Sequence, residues 1–434
     1  MRHGVLIILL FLFSFSSLRG QSYLSPDEAV AIGLENNFSV KISRNTLQIA
    51  HNNNTAGNAG YLPTVTTSGS YNENLNSSRQ QYYDGRLREA TNSKSNSFTA
   101  GVALNWTLFD GFGMFVEDQR LDELELSGEA ELRDQMEAVV SEIITTYYSL
   151  VQQDRRLKVL YDALQFGHNR KALARQKFDL GISSELDYLQ AVADLNADSA
   201  DYLRQQADLL RTKVALNNLL VRGATVTFTT VDSIGLLPDL TYEELSNPLI
   251  DQNATIELAK RRQKIAIYET RLARSVTYPQ LNFTAGYSFT KSTSAIGLVE
   301  SNRNYGPNAG VNLSYTLFDG FRNRQRIRNA RLSEQNAAIA LDETLQAIQS
   351  TLYTLYSDYR AQQQLVALEK SNVTVVRNNT RIALDKYRLG ELNDLDLRQI
   401  QLRQIEVENS LLQSFYQVKV LETELLRLSG RIIR

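Results

Sequence analysis

Two hydrophobic patterns alternate along the chain. Between residues 98 and 108 apolar side chains recur at every second position, with Phe98, Val102 and Trp106 separated by small or polar residues. Residues 281–290 repeat this alternation. A period of two predicts strands with one apolar face. We therefore expect four strands, each long enough to cross a bilayer when tilted, at about 63–75, 97–108, 279–290 and 308–317.

Most of the remaining sequence follows a helical period. Val139, Ile143 and Tyr147 belong to a stripe of apolar residues spaced by three or four positions, as in an amphipathic helix. No proline interrupts this stretch, so one helix from about residue 113 to 180 is allowed, with a length of roughly 100 Å. The pattern predicts long helices beside the strands.

Each long helix is predicted to end at a glycine. Gly181 and Gly390 suit the left-handed conformation that closes a helix, and Ser184 and Asn393 follow as candidate caps of a returning helix. The chain therefore turns back at two helical tips.

An internal repeat organises the chain. The hexapeptide Thr-Leu-Phe-Asp-Gly-Phe at 107–112 recurs at 316–321, and the same offset aligns 177–181 with 386–390. Self-similarity at a fixed offset indicates tandem structural units. The predicted organisation is a first repeat at 22–221, a linker with a small mixed subdomain at 222–246, and a second repeat at 247–434.

The N-terminus and the composition narrow the protein class. Residues 1–21 have the basic start, short apolar core and small-residue end of a signal peptide, which predicts export. Lys and Arg number 46 against 48 Asp and Glu, so no basic nucleic-acid footprint exists. Without cysteine, disulfides and thiolate chemistry are excluded.

Polar segments and aromatic residues are predicted at opposite strand ends. Residues 76–95 and 291–304 are rich in Asn and Ser and predict outward-facing loops. The aromatic residues at the other ends predict a membrane-interface belt, with the edge of a soluble sandwich as the alternative. They are Tyr61, Phe109, Phe112, Tyr278, Phe318 and Phe321.

The repeated Asp-Gly pairs are the residues that most suggest a catalytic or metal site. Asp110-Gly111 and Asp319-Gly320 fit a strand-to-helix turn and a helix cap better than a catalytic or metal site. No phosphate loop, zinc spacing or readable triad is present. We therefore expect neither an enzyme nor a cofactor or metal.

Oligomerisation follows from the strand number. Four strands cannot close a barrel, and open edges in lipid would leave costly unpaired backbone groups. Three copies would supply twelve strands. The expected fold is mainly α with membrane β-strands: two tandem repeats whose long helical hairpins form an α-barrel, and four strands per protomer in a 12-stranded trimeric β-barrel.

The doubled hexapeptide, the doubled Leu-Gly tips, Tyr278-Pro279 and the signal peptide resemble the TolC outer-membrane efflux family over nearly the whole mature chain. The resemblance implies a homotrimeric exit duct in the outer membrane with a long periplasmic extension. It also implies an inner-membrane pump and a periplasmic adaptor as partners, with no bond chemistry in this component.

The resemblance also implies a periplasmic gate. Asp187 and Asp396 match acidic residues that constrict the family's entrance, and Tyr387 matches a tyrosine of its closed-state lock. An aspartate in a first helical turn can instead serve the helix dipole. Adaptor contact near Gly181 and Gly390 is implied in the same way.

The lock itself departs from the family. Leu392 occupies the position of its arginine and Gln399 that of a second aspartate, and Arg388 or Arg398 could substitute. Two other functions remain open, namely a periplasmic coiled-coil adaptor, which would lack four amphipathic strands, and an outer-membrane structural or adhesive protein. The sequence names neither substrate nor partners.

Overall fold

A computed structural model describes residues 22–295 and 299–433. The predicted signal peptide lies outside these residues. Most of the described chain is helical, and the mainly α fold with a small proportion of strand is confirmed. The helices are α1 (Pro26–Asn36), α2 (Phe38–Asn53), α3 (Gly113–Asp179), α4 (Glu185–Leu219), α5 (Tyr242–Ser246), α6 (Leu249–Gln252), α7 (Ala254–Ser275), α8 (Arg322–Leu389) and α9 (Asp394–Leu428).

The strands of the described chain are β1 (Ser22–Tyr23), β2 (Thr64–Gln81), β3 (Leu87–Phe109), β4 (Phe228–Thr229), β5 (Gln280–Ser294) and β6 (Ser301–Ser314). The four long strands form one antiparallel sheet. Its order is β2-β3-β5-β6, so that the hairpins of the two repeats meet where β3 pairs with β5, for example at Val102 opposite Tyr287. A separate parallel pair joins β1 to β4.

The strands are longer than the sequence pattern predicts. The expectation of a loop over 76–95 is wrong for most of that segment, because β2 and β3 stay paired up to Gln81 and Leu87. The loop expected over 291–304 is likewise mostly strand in its described part. Small polar side chains mark solvent-facing positions, but backbone pairing does not depend on them.

The chain divides into two compact units. The helical unit comprises the described residues up to Arg44, Glu131–Thr255 and those from Leu345 onward. In its core the Tyr147 hydroxyl donates to the Leu24 carbonyl at 2.7 Å and accepts from the Val231 amide at 3.0 Å. Burial raises the pKa of Tyr147 to about 12. This tyrosine ties the long helix to the segments that follow the paired strands β1 and β4.

The sheet unit comprises Asn45–Ala130 and Ile256–Thr344. Its helices are joined by ion pairs, since the Glu123 carboxylate accepts from Arg261 at 3.0 Å and from Lys264 at 3.1 Å. The apolar face of β3 is exposed at Phe98, Val102, Trp106 and Leu108.

The repeated Asp-Gly-Phe segment makes the turn from strand to helix in both repeats. Gly111 and Phe112 both have positive φ, as do Gly320 and Phe321. At Gly111 a Cβ would lie 2.3 Å from the Ser275 carbonyl oxygen, so only glycine fits there. Asp319 accepts from the Asn323 amide at 2.8 Å and caps α8.

None of the described helices combines the length and apolar character needed to cross a bilayer.

Candidate functional site

The candidate site is the tip of the helical unit, where both long helices reverse. After α3, Gly181 takes a φ of +72°, and Ser184 begins α4 with a capping box. After α8, Gly390 takes a φ of +83°, and Asn393 caps α9 through the Asp396 amide. The two tips are therefore built by the same local device.

Apolar packing joins the two repeats at this end. Tyr387 and Ala383 of α8 and Leu397 of α9 form a buried cluster. Phe166 and Leu173 of α3 pack against it. Helix α3 of the first repeat thus shares a core with α8 and α9 of the second repeat.

A buried arginine lies in the same region. The Arg170 side chain is 2% exposed and that of Asp394 is 5% exposed. The Nε atom of Arg170 donates to Asp394 at 2.8 Å. Its Nη2 atom donates to Asp394 as well and to Asp194 at 2.8 Å. Burial acts to lower the pKa of Arg170, but the two carboxylates outweigh it and the pKa is raised.

A second buried arginine continues the network. Arg398 of α9 binds both carboxylate oxygens of Asp198 at 2.8 Å and donates to the Gln401 side chain at 3.2 Å. Its Nε lies 3.7 Å from Asp194, which links it to Arg170. The charge network formed by Arg170, Asp194, Asp198, Asp394 and Arg398 therefore connects α3 and α4 of the first repeat to α9 of the second.

Tyr387 lies beside this charge network. The Lys177 ammonium donates to the Tyr387 carbonyl and sits 3.7 Å from the centre of its ring. Burial, followed by the charge of Asp394 and a hydrogen bond to it, raises the pKa of Tyr387. Burial lowers the pKa of Lys177, against the attraction of Asp394 and Asp187. The tyrosine therefore stays neutral, and Lys177 makes a cation–π contact with its ring.

A surface pocket of about 410 Å³ brings two of the three predicted gate residues together with one of the predicted tip glycines. Asp187, Tyr387 and Gly390 line it, with Lys177 and Asp394. Gly181 and Asp396 are not among its lining residues in the described chain. The structure therefore gathers part of the predicted gate around one concave surface.

The two predicted gate aspartates also make capping contacts. Asp187 accepts from the Ser184 amide at 3.1 Å, and Asp396 accepts from the Asn393 side chain at 2.8 Å. These are the contacts that the helix-dipole alternative predicts. A carboxylate ring made by several copies stays a prediction.

The residues considered as substitutes for the lock arginine differ in their surroundings. Arg388 makes an exposed pair with Asp385 at 3.3 Å. Arg398 is buried in the charge network. Leu392 packs against the apolar cluster of the tip, and Gln399 is exposed.

Sequence reasoning missed Arg170, Asp194, Asp198 and Asp394. A signal existed, because Arg170 continues the helical spacing of the buried Ala163 and Ala174, and charges seldom occupy such a stripe without a partner. The partners could not be chosen, since they lie on other helices far along the chain.

Four of the six predicted interface aromatics cluster in the sheet unit. Phe112 contacts Phe109 with ring centres 5.1 Å apart and Tyr278 at 6.3 Å. Phe115, which sequence reasoning missed, joins Phe112 to Tyr61 at 5.6 Å. The remaining two, Phe318 and Phe321, form a pair at 5.4 Å. Contact of these rings with lipid stays a prediction.

Within residues 22–295 and 299–433 no group of His, Cys, Asp or Glu has an arrangement that could hold a metal ion. Long helices that reverse at a charged tip, together with a sheet whose apolar face is exposed, agree with the class expected from the sequence, an outer-membrane channel protein with a large helical part.

Comparison with known proteins agrees with this class. Residues 31–221 and 245–431 match the family described as outer membrane efflux protein, and the chain belongs to this family of channel proteins. It is similar to the outer membrane efflux protein BepC of Brucella suis biovar 1 (strain 1330), at 22% identity over 431 residues, covering 97% of this chain and 89% of the relative.

Two solved structures share the fold. The CmeC outer membrane channel of Campylobacter jejuni has a TM-score of 0.77 at 16% identity, covering 94% of this chain and 86% of that chain. The outer membrane protein VceC of Vibrio cholerae has a TM-score of 0.74 at 18% identity, covering 93% and 96%.

Proposed function

We propose that this outer-membrane efflux channel works as a homotrimeric exit duct with a long periplasmic extension. It passively conducts substrates delivered by an inner-membrane pump through a periplasmic adaptor, in a tripartite efflux or type I secretion system. The protein supplies the path, and its partners supply the energy.

The incomplete sheet carries this proposal. In the described chain β2 and β6 each pair on one side only, and the apolar face between them is exposed. An unpaired strand edge inside lipid costs several kcal/mol per backbone group, so the edges must meet other copies. Three copies close a barrel of twelve strands, and the small polar side chains on its inner face leave an open lumen.

Control of passage belongs to the helical tip. A trimer places three copies of Asp187 and Asp396 near one axis, where a carboxylate ring attracts cations and repels anions. The charge network holds the tip helices of the two repeats together beside Tyr387. Leu392 cannot make the charged contact of the family's lock arginine, and Arg170 and Arg398 supply a charged contact between the repeats in its place. Adaptor contact at Gly181 and Gly390 completes the assembly.

The test is the mass of the detergent-extracted particle, with single-channel conductance recorded on the same sample. A conducting trimer supports the exit duct. A soluble monomer without conductance contradicts it and favours the coiled-coil adaptor. A trimer that is permanently sealed, with unchanged dye retention in cells lacking the protein, favours a structural or adhesive role.

A further inference from the structure

The first turns of α8 carry an unusual concentration of positive charge. Five of the ten residues at its start are arginines, and all five side chains are exposed. They are Arg322, Arg324, Arg326, Arg328 and Arg331.

These arginines lack anionic partners in the described chain. Arg322 donates to the backbone carbonyl of Asp319 at 2.9 Å. Within the residues that the structure describes, the other four side chains make no hydrogen bond or ion pair. Like charges at neighbouring turns repel one another, and the start of a helix already carries partial positive charge. This concentration of positive charge is therefore unfavourable for the isolated helix, and an external anion would stabilise it.

The helix start does not require this charge, as the first repeat shows. At the offset of the internal repeat, Arg326 aligns with Glu117 and Arg331 with Asp122. At two of the five arginine positions the first repeat thus has an acidic residue and at the other three an uncharged one, while both repeats fold into the start of a long helix.

The arginines form two rows on opposite flanks of the helix. Arg324, Arg328 and Arg331 are spaced by four and three residues and share one flank, whereas Arg322 and Arg326 share the other. A third face, marked by Ile327 and Ala330, is half-buried. Opposite that face lie the exposed Leu332 and Ile339, seven residues apart, where a neighbouring copy's helix would pack.

The internal repeat indicates which flank faces the membrane. Arg324 aligns with Phe115, which belongs to the exposed aromatic cluster of the sheet unit. Exposed aromatic side chains at strand ends typically lie at the level of lipid headgroups. The row that contains Arg324 is therefore on the side of the lipid.

We propose that Arg324, Arg328 and Arg331 bind the phosphate groups of anionic lipid headgroups at the surface of the membrane that the sheet crosses. This inference rests on the proposed function, since it requires the sheet to lie in a bilayer. Guanidinium groups hold phosphate oxygens through paired hydrogen bonds, and a basic residue at a lipid surface strengthens binding of anionic membranes by about fivefold.

Two double variants that remove equal charge at equal spacing test the inference. Arg324→Gln with Arg328→Gln removes the membrane row, and Arg322→Gln with Arg326→Gln removes the opposite row as control. Binding of phosphatidylglycerol and phosphatidylcholine to the detergent-extracted protein is counted by native mass spectrometry. We expect the first variant to bind phosphatidylglycerol at least about tenfold more weakly, with phosphatidylcholine unchanged and the control close to wild type.

Several outcomes overturn the inference. Equal loss in both variants shows unspecific charge attraction. Complete displacement of phosphatidylglycerol by inorganic phosphate shows a site for small anions. Unchanged lipid binding with altered ion selectivity places the row in the conduit, and a reduced particle mass places it against a second copy.

Mass and conductance recorded on the same samples separate this inference from the proposed function. A conducting trimer without preference for phosphatidylglycerol overturns the lipid site alone. A monomer without conductance overturns both.

Discussion

The helical tip and the four-stranded sheet distribute polar and apolar side chains in opposite ways. At the tip Arg170 and Asp394 are buried, whereas Val102 and Trp106 of the sheet are exposed. A protein surrounded by water favours the reverse at both places. The comparison teaches that charge serves as an internal contact in one region, while the surface of the other is suited to apolar surroundings.

The two regions also differ in what their contacts specify. Removing a carboxylate from water costs several kcal/mol, which paired hydrogen bonds offset only in good geometry. Arg170 of α3 pairs with carboxylates of α4 and α9, and Arg398 of α9 pairs with α4, so these contacts hold the three helices in register with one another. The apolar face of the sheet imposes no such matching, because lipid accepts any apolar side chain.

The largest expected effect on stability comes from removing a cation from the charge network. Arg170→Met leaves the buried carboxylate of Asp394 without its guanidinium partner, and we expect the free energy of unfolding to fall by about 3 to 5 kcal/mol. Thermal unfolding of the detergent-purified protein, followed by circular dichroism, measures it. Arg175→Met on the same helix removes an exposed pair with Asp179 and should cost less than about 1 kcal/mol. Equal effects of the two variants would contradict a special role for the network.

The exposed apolar face is tested by placing a charge on it. Val102→Arg should oppose insertion by about 2 to 4 kcal/mol, because the guanidinium would face lipid. Asn105→Arg on the other face of β3 is the control and should insert normally. The measurement is the fraction of each variant recovered as conducting trimer from membranes. Normal recovery of Val102→Arg would argue against a lipid-facing sheet.

Glu422 predicts that the stability of the helical unit depends on pH. This buried carboxyl accepts from Lys419 at 2.9 Å and from the Leu237 amide at 3.0 Å. Burial nevertheless raises its pKa, although Lys419 and the amide lower it. A raised pKa favours the protonated folded state, so the contribution of Glu422 to stability is fully present below its ordinary value of 4.5 and is lost as pH rises through the folded pKa.

Glu422→Gln removes this titration. Relative to wild type, the variant should gain stability as the pH rises from the ordinary value of 4.5 through the raised folded pKa of Glu422. Unfolding temperatures of both proteins across that range test it. Parallel curves would show that Glu422 does not titrate in this way.

The smallest expected change in stability concerns the gate aspartates. Asp187→Ala and Asp396→Ala each remove a contact in a first helical turn, worth about 1 kcal/mol or less. In planar bilayers, however, the double variant should show lower cation selectivity and weaker block by multivalent cations. Asp385→Ala, which removes only the exposed pair with Arg388, is the control. Unchanged block in the double variant would remove the proposed ring.

Local features of the fold were predictable from the residues that form them. The turn at Gly111 and Phe112, the glycines after α3 and α8, and the caps Ser184 and Asn393 depend on interactions within a few positions. The strand ends were less predictable. Paired backbone continues through residues 76–81 and 87–95 although their side chains suggest a loop.

The sequence by itself determined the periodicities, the helix ends and the repeated motifs, because these depend on spacing and on short-range backbone chemistry. Only the tertiary structure decided that Arg170 meets Asp394 and that Phe115 joins Phe112 to Tyr61. Such contacts join positions far apart in the chain, and many charged or aromatic residues could compete for each partner. The physical reason is that side-chain pairing is set by the packing of whole helices and strands, which no local pattern specifies.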